Sequence, residues 1–244
     1  MKIAVIADIH SNLQAFEAVL TDIKKENVGE ILCLGDLIGY GPDPRRVVKL
    51  TRERSIDSVL GNHEYALSNR AYFNHLNPSP RASLTLNLAQ LDPLDIDYLK
   101  SLPQVITRHG ARFVHGCPPK SPTAYLLEPS DRMLGKIFGS FPEQFAFYGH
   151  THVFELFESK DGEIRKRPFS PGIHFLAENG RYLVNPGSVG QPRDGLNCHA
   201  KYCLWNPDSL TLELKSIPYD IKKTALRLRE SGYPDFNAER LFYC

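Results

Sequence analysis

Five apolar runs in this 244-residue chain stop at side chains that bind metals or move protons. "KIAVIADIH" ends at Asp8 and His10, "ILCLGD" at Asp36, "SVLGNHE" at Asn62 and His63, "ARFVHG" at His115, and "FAFYGHTH" at His150 and His152. Five of the nine histidines therefore sit at the ends of predicted strands. In an extended chain residues two apart point to one side, so Asp8 with His10, and His150 with His152, would each aim at a common spot. Carboxylates, an amide and imidazoles gathered this way would bind divalent cations and move protons. Taken one at a time they have ordinary explanations: Asp and Asn after a strand serve as turn residues or helix caps, and a lone buried His is usually a hydrogen-bonded core residue. Their joint recurrence at strand ends makes the chemical reading the stronger one.

The elements that would position these residues follow from periodicity. "KIAVIA" reads as a strand, and "NLQAFEAVLTDIKKEN" as a helix with Leu13, Phe16, Val19, Leu20 and Ile23 on one face. "EILCLG" is a second strand, "DPRRVVKLTRER" a helix with Pro44 in its first turn, and "SIDSVLG" a third strand. Such alternation predicts parallel strands joined by crossover helices, with ligand groups outside the carboxyl ends of the strands. A helical stretch is expected from about Pro80 to Lys100. Beyond it the chain reads as strands in succession: "QVITRH", "ARFVHG", "FAFYGH", "HVFELFES", "EIRKR", "RYLVNPG", "KYCLWN" and "LTLELKSI". Asp161-Gly162 marks a hairpin between two of them, and "DIKKTALRLRE" closes the chain as a helix. No linker or repeat divides the sequence, so residues 1–244 are expected to form a single domain.

Composition narrows the function. The 42% hydrophobic and 23% charged residues are those of an ordinary globular protein, and a net charge of +1 gives no sign of a bulk nucleic-acid or membrane-surface binder. No apolar run reaches eighteen residues, and the first one meets Asp8 and His10 instead of a cleavage site, so it is expected to be a buried strand and not a signal. The five cysteines are odd in number and lack a CxxC pair, which predicts reduced thiols and a cytoplasmic protein, with Cys33 in the core.

The blocks "DIH", "GD", "GNHE", "HG" and "GHTH" stand in the order, and at roughly the spacing, of the calcineurin-like metallophosphoesterase superfamily, which the sequence resembles from Asp8 to about Arg193. The downstream "NPGSVGQPR" is similar to the bacterial and archaeal branch of small phosphodiesterases related to YfcE. The resemblance implies a four-layer α/β/β/α sandwich of two mixed β-sheets. It implies a first metal held by Asp8, His10 and His152, a second held by Asn62, His115 and His150, and Asp36 bridging both. His63 would approach the substrate, as a proton donor to the leaving alkoxide or a hydrogen-bond donor to developing charge.

Two divalent ions can bind a phosphate, activate a shared water and stabilise both apical oxygens. Two carboxylates among neutral ligands leave such a centre net positive, which attracts a phosphate anion. The nitrogen and oxygen donors suit manganese first, with iron, zinc, nickel or cobalt as alternatives. One departure narrows the substrate. Serine/threonine protein phosphatases follow the GD block with an Asp that orients the catalytic His and an Arg that grips phosphate; here Gly39 and Tyr40 occupy those places. The expected reaction is hydrolysis of phosphodiesters of small molecules or nucleotides. A phosphomonoesterase or protein phosphatase, a nuclease on the same metal centre, and a non-catalytic scaffold of the same fold are the alternatives; nucleic acid is not favoured and no membrane partner is expected. Tyr40 and Arg193 are open as pocket or surface residues, Arg45 and Arg46 are expected in solvent, and "NPGSVG", with Asn185 and Ser188, as a turn closing the site. His75, His109, His174 and His199 carry no assigned role.

Overall fold

Side-chain alternation along the central strands decides the layering. In β1 (Lys2–Ile6) and the residue after it, Ile3, Val5 and Ala7 face one way, whereas Ala4 and Ile6 face the other. Both sets are fully buried, which a strand achieves only when each face of its sheet is covered. The computed structural model describes residues 1–168 and 170–243.

The first sheet contains β1, β2 (Val28–Cys33), β3 (Asp57–Ser58), β9 (Gly172–Phe175), β11 (Ala200–Asn206) and β12 (Thr211–Ile217), ordered β3-β2-β1-β11-β12-β9. The second contains β4 (Val105–Arg108), β5 (Ala111–Val114), β6 (Phe145–Phe147), β7 (Phe154–Lys160), β8 (Glu163–Arg167) and β10 (Arg181–Pro186), ordered β4-β5-β6-β10-β7-β8. Both are mixed: β1 pairs parallel with β2 and antiparallel with β11, while β6 pairs parallel with β5 and β10 and β10 antiparallel with β7.

The sheets meet through Ile3, Val5, Phe113, Phe145, Phe147 and Trp205. On the outer face of the first sheet lie α1 (Leu13–Ile23) and α2 (Pro44–Glu53), whose Phe16, Val19, Val47 and Val48 pack on Ala4, Ile6 and Leu204. On the outer face of the second lies α7 (Asp131–Phe138), whose Leu134, Ile137 and Phe138 cover Ala146, Tyr148 and Leu183. The result is the expected α/β/β/α sandwich.

Most expected elements are present. Asn12 caps α1 by accepting from the Ala15 N–H at 3.2 Å, Arg45 and Arg46 are exposed on α2, and Asp161 and Gly162, both at positive φ, turn β7 into β8. Several boundaries differ. The third strand has only two residues, and helix starts at Asn62 with α3 (Asn62–Ser68), followed by α4 (Arg70–His75), α5 (Pro78–Leu88) and α6 (Pro93–Ser101).

The stretch read as uninterrupted strands contains α7, signalled by Ser130, whose hydroxyl caps it at 3.3 Å from the Met133 N–H. β9 is a largely exposed edge strand without alternation, so no periodicity marks it in the sequence. After α8 (Ile221–Glu230) comes a short α9 (Asp235–Arg240), also unforeseen. Cys33, Cys117 and Cys203 are free thiols, but Cys198 is disulfide-bonded, which corrects the expectation of reduced thiols throughout; Cys244 lies outside the described residues. No described helix is long and apolar enough to cross a membrane.

Candidate metal centre

The turns that leave the strands carry the site, and they are not extended. Asp8, His10, Asp36, His150 and His152 all have positive φ, between 49° and 69°. Each such residue costs about 1–3 kcal/mol unless its surroundings enforce the conformation. Cross-strand bonds do so: Asp8 N–H donates to the Gly35 carbonyl at 3.1 Å, His10 N–H to Asp36 at 2.9 Å, and Ser11 N–H to Leu37 at 2.9 Å. This overturns the extended geometry expected for the i, i+2 pairs. The left-handed turn at 150–152 sends the two rings to different groups of side chains.

One group comprises Asp8, His10 and His152, and another Asp36, His115 and His150; a third joins His10, Asp36 and His63. All are buried. His10 Nε2 lies 3.0 Å from His152 Nε2, and His152 Nε2 lies 3.6 Å from Asp8 Oδ1. His115 Nε2 is 3.0 Å from Asn62 Oδ1 and 3.1 Å from His150 Nδ1. Asp36 Oδ2 stands between the groups, 3.6 Å from His10 Nε2 and 3.3 Å from His115 Nε2. All seven residues expected at a metal centre thus converge, with His63 beside them.

The fit of this cluster to cations follows from its tautomers. His10 Nδ1 faces the Ile38 carbonyl at 3.1 Å, and His152 Nδ1 faces the Gln191 carbonyl at 2.7 Å. A carbonyl only accepts, so both Nδ1 atoms carry the hydrogen and, in the neutral rings, both Nε2 atoms present bare lone pairs. Burial pushes the pKa of both rings well down, so no proton bridges the 3.0 Å gap. Two lone pairs aimed at each other beside a carboxylate repel unless a cation lies among them. A cation accepting both lone pairs would remove that repulsion, and His10, His152 and Asp8 are the residues that would hold it.

His115 and His150 repeat the arrangement, with His115 Nδ1 on the Leu34 carbonyl at 2.7 Å and His150 Nε2 on Thr123 at 3.2 Å. Here electrostatics differ. Burial opposes charge on His115, but Asp36 and Asp8 outweigh it and raise the ring to about 9. Burial also raises Asp8, to about 8, and takes His150 down to about 3. For Asp36 burial is overcome by His115, His63 and His10, which keep it ionised well below the usual range. Asp36 is thus the fixed negative charge at the centre, and His115 holds the proton that a cation would displace.

Several residues without a sequence assignment support the cluster. Glu64 is buried on α3 and accepts from the Asp36, Ile38 and Gly61 N–H groups at 2.9, 3.1 and 3.0 Å, so one carboxylate fixes the Asp36 turn. It stands in "GNHE", three residues after Gly61 as a capping-box acid, which was the available signal. Asn87 accepts from Gly39 N–H at 2.6 Å and donates to the Gly41 carbonyl at 2.9 Å, shaping the loop that carries Tyr40. Tyr125 stacks on His150 at 3.6 Å between ring centroids. Neither has a local sequence signal.

The turn after β10 joins the sheets as expected. Val189 and Gly190 N–H donate to the Ala7 and Asp8 carbonyls at 2.9 Å, Ser188 Oγ donates to Asp8 at 2.9 Å, and Asn185 Nδ2 donates to Gly149 at 3.1 Å. A Cβ on Gly190 would fall 2.0 Å from the Ile9 carbonyl oxygen, so only glycine allows this approach. His63 Nδ1 is buried without a partner among the described residues, next to Gly39, where a Cβ would sit 2.2 Å from it. Tyr40 packs against His10 and His63, with ring centroids 4.7 and 5.1 Å away, and Arg193 lies over the Tyr40 ring at 5.7 Å. His75, His109, His174 and His199 bond elsewhere, to Ala71, Glu30, Ser170 and Ser216.

The chain is similar to known proteins along nearly its whole length. Residues 1–208 match the model of the calcineurin-like phosphoesterase superfamily domain. The chain is 35% identical over 243 residues to the uncharacterized protein MJ0912 of Methanocaldococcus jannaschii, covering 98% of this chain and 97% of that one. The crystal structure of a metallophosphoesterase from Sphaerobacter thermophilus superposes with a TM-score of 0.83 at 34% identity, covering 99% and 98% of the two chains. The hypothetical protein PH1004 of Pyrococcus horikoshii shares the fold with a TM-score of 0.78 at 19% identity, over 99% and 97%.

Proposed function

The chain belongs to the calcineurin-like phosphoesterase superfamily, and on that premise we propose that it is a dinuclear metal-dependent phosphoesterase hydrolysing phosphodiesters of small molecules or nucleotides. The observation that carries the reading is the opposed pair of bare nitrogens on His10 and His152 beside Asp8, which a cation reconciles. Asp8, His10 and His152 would hold one cation; Asn62, His115 and His150 the other; Asp36 would be shared. Manganese suits this donor set, and iron, zinc, nickel or cobalt would also be accepted. When bound, the two cations would supply Lewis-acid polarisation of the phosphoryl group and activation of water.

The remaining chemistry belongs to the chain. Asp36 Oδ2 spans both groups and keeps its charge, while Glu64 fixes its backbone. Backbone carbonyls at Ile38, Leu34, Gln191 and Thr123 take one nitrogen of each of the four ligand rings and turn the other toward the centre. Burial lowers the pKa of His63, so its neutral ring offers an N–H to the charge developing on the leaving alkoxide. Gly39 gives His63 no carboxylate to orient it, and no arginine occupies position 40, which counts against phosphoprotein substrates.

The test is an assay of the full chain, freed of metal and then reloaded with manganese, on bis(p-nitrophenyl) phosphate. Turnover that chelation abolishes and that Asp36→Asn lowers at least about a hundredfold is the expected result. Full activity in that variant, or turnover insensitive to chelator, would refute the mechanism.

A further inference from the structure

Two arginines stand at the edge of the metal centre without an acidic partner. Arg112, Arg167 and Arg227 each pair with a carboxylate, but among the described residues none lies within 4.0 Å of the guanidinium of Arg193 or Arg240. The Nε atoms of both are buried and unbonded among the described residues. Arg193 is held by its neighbours: its N–H donates to the His152 carbonyl at 3.0 Å, Nη2 donates to Gln191 Oε1 at 2.7 Å, and the guanidinium rests on Tyr40. The bond to His152 and the contact with Tyr40, whose ring packs on His10 at 4.7 Å, place Arg193 beside the first ligand group.

Arg240 comes from α9, beyond residues 1–208 that match the family domain. One turn earlier on that helix, Asn237 Nδ2 donates to the Tyr40 carbonyl at 3.0 Å and to Ser83 Oγ at 2.7 Å. α9 is thereby fixed to the loop that carries Tyr40, and Ala238 and Leu241 bury its apolar face against α8. Arg240 lies over Phe236 at 5.7 Å, one turn beyond the Asn237 that bonds to the Tyr40 carbonyl, so it and Arg193 flank the same loop. Burial and the nearby Arg193 charge both push Arg240 below its ordinary pKa. Two half-buried like charges next to a centre made for cations leave positive charge unbalanced, and desolvated guanidinium groups bind phosphate strongly.

We propose that Arg193 and Arg240 form a subsite for a second phosphate group of the substrate, outward of the phosphate that reacts at the metal centre. This rests on the phosphoesterase reading and narrows it to compounds in which the reacting phosphate is linked to another phosphate, as in a nucleoside diphosphate. Arg193 serves both groups, and Arg240 the outer one.

Calorimetric titration of the manganese-loaded full chain with inorganic pyrophosphate and with orthophosphate tests the subsite without turnover. The wild-type protein is expected to bind pyrophosphate at least about tenfold more tightly than orthophosphate, and Arg240→Gln and Arg193→Gln to reduce that gap to about twofold. Chelation of manganese by pyrophosphate is common to all the proteins, so the change of the gap on substitution is what reads the two arginines. Arg240→Lys, which keeps a charge but loses the planar fork, should retain part of the gap. No gap in the wild type, or the same gap in both glutamine variants, overturns the proposal. A gap lost in the variants of a protein that hydrolyses no phosphate ester would uphold the subsite while refuting the enzymatic reading. Hydrolysis of phosphodiesters with no gap would do the reverse.

Discussion

The Nε2 atoms of His10 and His152 face each other across 3.0 Å although each ring has already given its only hydrogen to a backbone carbonyl. A cation held by both nitrogens would relieve this repulsion. Metal should therefore stabilise the fold: at a thousandfold excess over Kd the gain is about 4 kcal/mol per site. Thermal denaturation should show a rise in Tm with manganese that chelator reverses, and His152→Ala should respond less than the wild type. A Tm indifferent to metal would argue against a resident cation.

The protons held in the cluster predict how uptake depends on pH. His115 is raised to about 9 and Asp8 to about 8, so at pH 7 both are protonated, and both must deprotonate to act as ligands. Binding should release up to two protons, and affinity should rise with pH until about pH 9, then level off. Below pH 8 each displaced proton weakens affinity about tenfold per pH unit. Calorimetry of manganese binding at pH 7 in buffers of different ionisation enthalpy counts the protons; none released would contradict these titrations.

Gly61 is required by close packing and not by its backbone angle, because its φ is −83°. A Cβ there would lie 2.2 Å from both Asp36 N and Asp36 Oδ1, and 2.5 Å from Glu64 Oε2. Gly61→Ala should destabilise the protein by about 1–3 kcal/mol in urea unfolding and lower metal content, since the displaced groups are Asp36 and its brace. Glu64→Gln should weaken metal retention about 10–100-fold with a smaller effect on stability. Metal analysis after dialysis checks both losses, and urea unfolding distinguishes the two.

Lys201 is fully buried and pairs with Asp194 at 3.1 Å, anchoring the loop that starts at Arg193. Lys201→Met leaves a buried aspartate without its cation, at a cost of about 3–5 kcal/mol. Asp194→Asn combined with Lys201→Met should recover part of that loss. Equal stability of the single and double variants would show that the pair is not coupled.

The sequence by itself determined which residues could do the chemistry and the order in which strands deliver them. Residue type and alternation are local properties: apolar runs that stop at Asp8, Asp36, Asn62, His115 and His150 are visible in the chain, and so is the period-two pattern of β12. Tertiary structure decided where those groups point. Left-handed turns at His150 and His152, enforced by bonds such as His150 N–H to Asp8, send neighbouring rings into separate groups where an extended chain would have aimed them together. Glu64 acquires its role only where β2 and α3 meet, and α9 reaches Tyr40 only because Asn237 bonds to its carbonyl across about two hundred residues of chain. Backbone dihedrals at turns and contacts between distant segments are set by the packed whole, so no local pattern records them.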